Sequence, residues 1–559
     1  MPFTRETLPL KYATGLLPDF AAALYKLAQS TSYILMNQPG NKSYRLVLII
    51  LSLLVLTMGI VLFFIPPALF PDPANGFNVL RSMSHGGSFN VLTAPDQSDI
   101  SQTYDEFITW WSPGQYLVPF FFKLISGISL GQASSLTVAL AQLIGLAGFY
   151  KFFKKIGFTP ITATLSVVFI VCQLAFFVPY VFYNGGEVLL FAFEGWFLYG
   201  CAALQKPDWK LLLFVLLSGW IGFFCKSSFL WVYAAGLFCL WVRLSSGSVS
   251  EWIKKGIWIG VPAILSVAGI YFLFLSKGQS PASVSKGIKL TAETFSFPLS
   301  TPLLSGFSLD DFFHGLIYNF GKPMIAQPLA TIILVALAIL SLVLVFSILR
   351  RVPNETYRLF LKAFYFGALL FFGVIYLRQL NISYEARHFR IIGILIVPGM
   401  IYLVSNLKIA YRVIFAAITI CIAAYSFTYL FKGYHINDTL AAKGPTGLAQ
   451  INIDQQSLNK IIKLDNDNRN ATFVFIANDI GLEITHNRVI NLPPLPDDYK
   501  IDIADYKFEG FAGPLFIVLP ESYNGPKEKL VMKSFPGYTG FNLSMLSDKY
   551  VLYEARMRR

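Results

Sequence analysis

Residues 46–69 read LVLIILSLLVLTMGIVLFFIPPAL, and the chain turns polar directly afterwards, at Pro71-Asp72-Pro73-Ala74-Asn75-Gly76-Phe77. One helical crossing of a bilayer takes about 20 apolar residues. Further along the same polar region comes Trp110-Trp111-Ser112-Pro113-Gly114-Gln115-Tyr116, after which the chain becomes apolar again. The reading is a span, then a long polar loop with a carboxylate just beyond the bilayer edge, then an aromatic-Pro-Gly segment re-entering the lipid interface as a helix. A carboxylate so placed in an otherwise apolar protein suggests an active site at a membrane surface.

Composition agrees. The chain has 559 residues, 55% hydrophobic and 13% charged, about half the charge of a soluble domain, and its mean hydropathy is +0.58. The 52 Phe and 28 Tyr suit the membrane–water boundary, where aromatic rings concentrate. The net charge of +13 comes largely from residues flanking apolar runs: Lys151, Lys154 and Lys155; Lys254 and Lys255; Arg350 and Arg351. That pattern reads as topology and contact with anionic membrane lipids, and no nucleic-acid partner is expected. The cysteines, Cys172, Cys201, Cys225, Cys239 and Cys421, lie in or beside apolar runs and form neither a metal spacing nor a disulfide framework.

About eleven candidate spans follow, near 46–67, 131–151, 160–182, 186–204, 210–225, 227–243, 257–276, 328–349, 358–378, 388–405 and 411–431. Around Cys225-Lys226-Ser227-Ser228 the pattern reads either as two short spans or as one broken element. Lys and Arg in the short connections put the N-terminus in the cytoplasm. The segments are then a cytoplasmic 1–45, a membrane domain 46–432 with outer loops 68–130 and 277–327, and a tail 433–559 outside the cytoplasm. The tail alternates turns with β-like runs at Thr472 to Ile476, Arg488 to Ile490, Leu515 to Leu519 and Tyr550 to Tyr553, with a helical pattern from Gln455 to Lys463. The expected fold is a polytopic α-helical membrane protein of about eleven transmembrane helices with a small C-terminal extracytoplasmic α/β domain.

The order of these features resembles the GT-C superfamily of integral-membrane glycosyltransferases, which includes the protein O-mannosyltransferases and the bacterial aminoarabinose transferase of lipid A. The run Gly76 to Gly87 looks like that family's helix ending in Gly, and Trp110 to Tyr116 looks like its proline-aromatic re-entry helix. The early Asp72, an outer acid at the start of a later span (Glu187) and the α/β tail complete the likeness. The resemblance implies an inverting enzyme of a bacterial inner membrane. Such an enzyme moves a sugar from a polyprenyl-phosphate donor to a lipid, glycan or protein acceptor outside the cytoplasm.

It makes Asp72 the general base, with Glu187 in support, since an acceptor hydroxyl is a poor nucleophile until a carboxylate helps remove its proton. The departing prenyl phosphate gains negative charge and must meet cations. Arg387, His388 and Arg390, in Tyr384-Glu385-Ala386-Arg387-His388-Phe389-Arg390, lie at the outer mouth of a span, with Arg378 across a short loop. Arginine can hold phosphate through two parallel hydrogen bonds. Arg387 and Arg390 are thus the expected clamp, assisted by His388 or Arg378. Trp110, Trp111 and Tyr116 are candidate substrate contacts. Protein O-mannosyltransferases place Glu directly after the base Asp, whereas Pro73 stands here. The Asp105-Glu106 pair, read as lying at the start of the re-entry helix, is the alternative base. No metal site and no tightly bound cofactor are expected; a divalent cation on the donor phosphate stays open.

Plainer readings exist for each residue. Asp72 and Glu187 could cap their helices. Glu194, two turns beyond Glu187, could pair with Lys226. Arg387 and Arg390 could anchor to lipid headgroups, and the aromatics could form an interfacial belt. His85 and His314 imply no chemistry of their own. Two other functions compete. A transporter or flippase of lipid-linked glycans would show matching halves and polar residues through several spans. A non-catalytic membrane assembly protein would bind a partner through its tail.

Overall fold

The computed structural model describes residues 43–278, 284–309, 326–495 and 506–557. Most of the segment 1–45 therefore lies outside the described residues, as do His314 and much of 277–327.

The chain enters the bundle through α1 (Ser43–Phe64), which turns Leu46, Ile49, Leu53 and Phe64 outward, the last 73% exposed. An apolar outer surface is what lipid requires, because only the backbone needs internal hydrogen bonds there. A two-residue strand β1 (Ala68–Leu69), helix α2 (Pro71–Ser84), a hairpin of β2 (Val91–Pro95) and β3 (Thr103–Phe107), and helix α3 (Gly114–Ser126) form the polar excursion. The re-entry helix begins where the Pro-Gly pair predicts. The Asp105-Glu106 pair does not: it lies in β3, because Thr103 to Phe107 pair with Val91 to Pro95 and so take strand geometry.

The bundle continues with α4 (Leu130–Lys155), α5 (Pro160–Cys172), α6 (Leu174–Val181), β4 (Phe182–Tyr183), α7 (Gly186–Ala203), α8 (Trp209–Cys225), α9 (Phe229–Leu244) and α10 (Val249–Leu273). It closes with α11 (Ala292–Leu304), α12 (Gln327–Arg351), α13 (Glu355–Leu377), α14 (Arg390–Ser405) and α15 (Ile409–His435). Among the described residues seven helices are long and apolar enough to cross a membrane, or eight if α5 and α6, bent by 50°, make one span. The chain is a polytopic helical membrane protein. The expectation of about eleven spans exceeds this for a physical reason. At 17 and 16 residues, α8 and α9 reach only about 25 Å along their axes, and α7 carries both Glu187 and Glu194. The break at Lys226 is real: α8 stops at Cys225 and α9 starts at Phe229. Inside the stretch read as an outer loop, α11 buries Phe297, Thr301 and Leu304.

Residues 442–557 build a different unit. After β5 (Ala442–Lys443), β6 (Ala449–Gln450) and α16 (Gln455–Asp467) come β7 (Thr472–Phe475), β8 (Arg488–Asn491), β9 (Leu515–Pro520), α17 (Pro526–Lys533), β10 (Tyr538–Met545) and β11 (Tyr550–Met557). Five strands form one mixed sheet in the order β10-β11-β9-β7-β8, parallel through β9-β7-β8 and antiparallel at the other edge. Alternate residues of β9 serve two cores. Leu515, Ile517 and Leu519 pack with Phe535 and Tyr538, whereas Phe516 and Val518 pack with Leu458 and Ile461 of α16. A sheet covered on both faces explains why its strands read as continuous apolar runs.

Candidate functional site

The site is assembled by a very small piece of sheet. In the parallel pair β1–β4, Ala68 lies opposite Phe182 and Leu69 opposite Tyr183, and Phe70 N donates to Tyr183 O at 3.1 Å. This lays Pro71-Asp72 beside Asn184-Gly185-Gly186-Glu187. Pro71 starts α2, where its missing N–H would have no partner anyway. Asp72 and Glu187 occupy the first turns of α2 and α7, and helix N-termini favour negative charge. Lys226 ends α8, where the free carbonyls favour a cation. Two glycines permit the close approach. Gly185 has φ +54, and a side chain there would meet Gln115 and Pro73; a Cβ on Gly114 would lie 2.3 Å from Phe224 O. The start of α3 is thereby pinned to the end of α8, and Ser227 Oγ donates to Trp110 O at 3.4 Å.

Five charged side chains meet here. Arg387 Nη1 lies 3.0 Å from Asp72 Oδ2 and 3.2 Å from Glu187 Oε1, and Glu385 sits against its Nε. Lys226 Nζ donates to Glu187 Oε1 at 2.5 Å. Glu187 is therefore held between two cations, as a carboxylate withdrawn from water needs. Its side chain is 13% exposed and that of Asp72 is 41% exposed, so Asp72 is the acid an incoming group can reach. His388 follows Arg387, its ring centroid 6.2 Å from that of Phe372 and its buried Nε2 without a hydrogen-bond partner among the described residues.

The structure thus brings together Asp72, Glu187, Arg387 and His388. Arg390 lies a short way along the chain, with its guanidinium over Phe191 of α7, Cζ 5.0 Å from the ring centroid. It lines a small cleft with Gln173, Ser305 and Gly306. Arg378 is exposed, and its carbonyl accepts from Ser285 Oγ, so it stands apart from the cluster. Trp110 and Trp111 are partly buried, their rings 5.1 Å apart. Tyr116, a candidate substrate contact, is 1% exposed and donates its hydroxyl to Asn90 Oδ1 at 2.7 Å; its place is in the scaffold. Of the alternative acids, Asp105 is exposed and accepts from Thr93 Oγ1 at 2.6 Å. Burial raises the Glu106 carboxyl above its usual range. Glu194 is 4% exposed, and the partner of Lys226 is Glu187 instead.

Sequence reasoning missed Lys226 and Glu385 as site residues. A lysine at the break between two apolar runs was the available signal for the first, since ionisable groups at membrane depth are rarely idle. Glu385 had no signal beyond its place next to the basic run. Among the described residues no three His, Cys, Asp or Glu side chains gather as a metal site.

Helix α2, which carries Asp72, also docks on the C-terminal unit. Asn78 Nδ2 donates to Asn478 O (2.9 Å), and Asn478 Nδ2 returns a bond to Asn75 Oδ1 (3.0 Å). Arg81 donates to Ile484 O (2.8 Å) and Asn487 O (2.7 Å). His85 places Nε2 2.9 Å from Thr485 O.

Comparison with solved structures finds likeness along most of the chain. ArnT from Cupriavidus metallidurans bound to undecaprenyl phosphate is 12% identical with a TM-score of 0.47, over 92% of this chain and 98% of that one. Arabinofuranosyltransferase AftD from Mycobacteria is 14% identical with a TM-score of 0.47 over 92% of this chain, which spans 40% of the AftD chain. Oligosaccharyltransferase AglB from Archaeoglobus fulgidus, in complex with an inhibitory peptide and a dolichol-phosphate, is 10% identical with a TM-score of 0.47, over 88% of this chain and 71% of that one. No protein-family model and no curated protein matches the chain. These three solved structures are GT-C glycosyltransferases.

Proposed function

We propose that this protein is an inverting membrane glycosyltransferase that takes a sugar from a polyprenyl-phosphate donor and passes it to a lipid, glycan or protein acceptor outside the cytoplasm. The observation that carries the reading is the meeting of Asp72 with Arg387, in a cluster completed by Glu187 and Lys226. It supplies an accessible carboxylate and two cations within one small volume at the ends of membrane helices.

The chemistry follows from that charge arrangement. The acceptor hydroxyl gives its proton to the Asp72 carboxylate as its oxygen forms a bond to the anomeric carbon. The bond from that carbon to the phosphate oxygen breaks, and its electron pair leaves with the prenyl phosphate. Arg387 and Lys226 meet the added negative charge. Glu187 positions both cations. Arg390, His388 and the indoles of Trp110 and Trp111 are second-line contacts to phosphate, prenyl chain or sugar. In this reading α7, α8 and α9 also cross the membrane, the N-terminus is cytoplasmic, and the sheet unit stands outside, in a bacterial inner membrane. No cofactor is required, and a divalent cation on the donor phosphate is compatible with the site. A lipid phosphate is the ligand class bound in the ArnT and AglB structures.

The test is sugar transfer or release from a panel of polyprenyl-phosphate sugars, comparing wild type with Asp72→Asn in nanodiscs. Turnover by wild type alone supports the reading. No turnover together with no binding of any lipid in the panel overturns it and leaves transport of lipid-linked glycans or an assembly role.

A further inference from the structure

Next to the charged cluster lies a pair of side-chain amides whose hydrogen-bonding capacity the protein leaves unspent. Gln115, in the first turn of α3, is 4% exposed, and its Nε2 has no hydrogen-bond partner among the described residues. Asn184, beside Gly185 and Glu187, has a buried Oδ1 in the same condition. Buried polar groups are nearly always paired, so each exception asks for a reason.

Gln115 is held at both its main chain and its side chain. Its backbone carbonyl accepts from Tyr183 OH at 2.6 Å. Its side chain lies between two glycines: a Cβ on Gly76 would come within 3.1 Å of Nε2, and one on Gly185 within 2.8 Å of Oε1 and 3.1 Å of Pro73 Cγ. Gly76 is one turn beyond Asp72 on α2, and Pro73 is its immediate neighbour. The unspent Gln115 donor thus lies against the helix that carries the proposed base, and Asn184 lies in the turn laid beside that helix's start.

Their chemistry selects a ligand group. A carboxamide N–H needs an acceptor and a carboxamide oxygen needs a donor, and a hydroxyl is both at once. A phosphate oxygen offers acceptors alone, and a prenyl chain offers neither. We propose that Gln115 and Asn184 read a ring hydroxyl of the transferred sugar and so determine which donor is used. This rests on the glycosyltransferase reading above.

The experiment titrates the full-length protein in nanodiscs with plain undecaprenyl phosphate and with undecaprenyl-phosphate sugars that lack or invert one ring hydroxyl at a time. Wild type should favour one sugar and lose roughly tenfold in affinity when one particular hydroxyl is removed. Gln115→Met, similar in volume, should bind plain undecaprenyl phosphate as wild type does and show no such preference. Should that variant fail to fold, Asn184→Ala carries the same comparison. A variant that keeps the wild-type preference overturns the assignment while plain-lipid binding leaves the enzyme reading standing. Failure of wild type to bind any of these lipids overturns both.

Discussion

Arg387 Nη1 lies 3.0 Å from Asp72 Oδ2, a contact between residues 315 positions apart. The same nitrogen lies 3.2 Å from Glu187 Oε1, so one guanidinium ties the first turn of α2 to the first turn of α7. The proposed base is thus held by the group proposed to grip phosphate. An arriving donor must compete with Asp72 for Arg387, and in winning it would free the carboxylate to accept a proton.

Asp72→Asn should therefore split two quantities that a structural role would move together. The amide cannot serve as a base, so turnover should fall about 10²–10⁴-fold. Donor affinity should hold or improve, because a carboxylate competing for Arg387 has been removed. Single-turnover transfer and lipid binding on the same preparation measure both. Parallel losses in the two would assign Asp72 to the scaffold.

Lys226 is predicted to act on the donor. Lys226→Met removes one of two cations at Glu187 and should weaken binding of the donor phosphate about 10- to 100-fold, the scale of one charge-assisted hydrogen bond. Lys226→Arg should recover most of that. Unchanged donor affinity in Lys226→Met would make the lysine a partner of Glu187 only.

How much of this was legible follows from the length of each pattern. Long apolar runs announce spans, and the alternating cores of β7 and β9 announce a sheet, because burial acts on many residues at once. The site depends on β1 and β4, two residues each, too few to leave a periodic trace. Asp72, Glu187 and Arg387 could be named from order and chemistry, but nothing in the sequence says that they touch. Asp105-Glu106 was misplaced because its strand exists only through the partner segment Val91 to Pro95. Helix α11 was hidden by Pro298 and Pro302 within it, since proline argues against a helix interior. Tyr116 follows the Pro-Gly pair like an interfacial aromatic, and only the fold shows its hydroxyl spent on Asn90.

The docking of α2 on the C-terminal unit gives a third prediction. Burial draws the Arg81 guanidinium down to about 10, against the pull of Asp465, and the side chain donates to two carbonyls of the C-terminal unit. Arg81→Met should destabilise the protein by about 1.5–3 kcal/mol, the range for hydrogen bonds from a charged group. It should also lower turnover more than donor binding, because α2 carries Asp72 but not Arg387. Thermal unfolding and the two activity measurements together check this, and equal effects on binding and turnover would count against α2 as the affected element.

The sheet unit should respond to pH with two opposite signs. Burial raises the Asp479 carboxyl, against hydrogen bonds led by that from Asn452. It also raises that of Glu483, against bonds from Thr446 and Gln450. A raised folded value means the native state holds more protons than the unfolded chain through the carboxylate range. These groups then stabilise below their unfolded values, and that contribution is lost as pH rises through the folded ones. Asp465 is the reverse. Burial works to raise it, but hydrogen bonds from Asn487, Thr485 and His486 outweigh burial and hold it below its usual value. Its contribution is present above the unfolded value and lost as pH falls through the folded one. Asp479→Asn should therefore gain stability relative to wild type as pH rises above about 4, and Asp465→Asn should lose it as pH rises toward about 4 from below. Unfolding temperatures measured across both intervals decide it, because two variants with the same slope would show that local loss of hydrogen bonds, not proton linkage, sets the response.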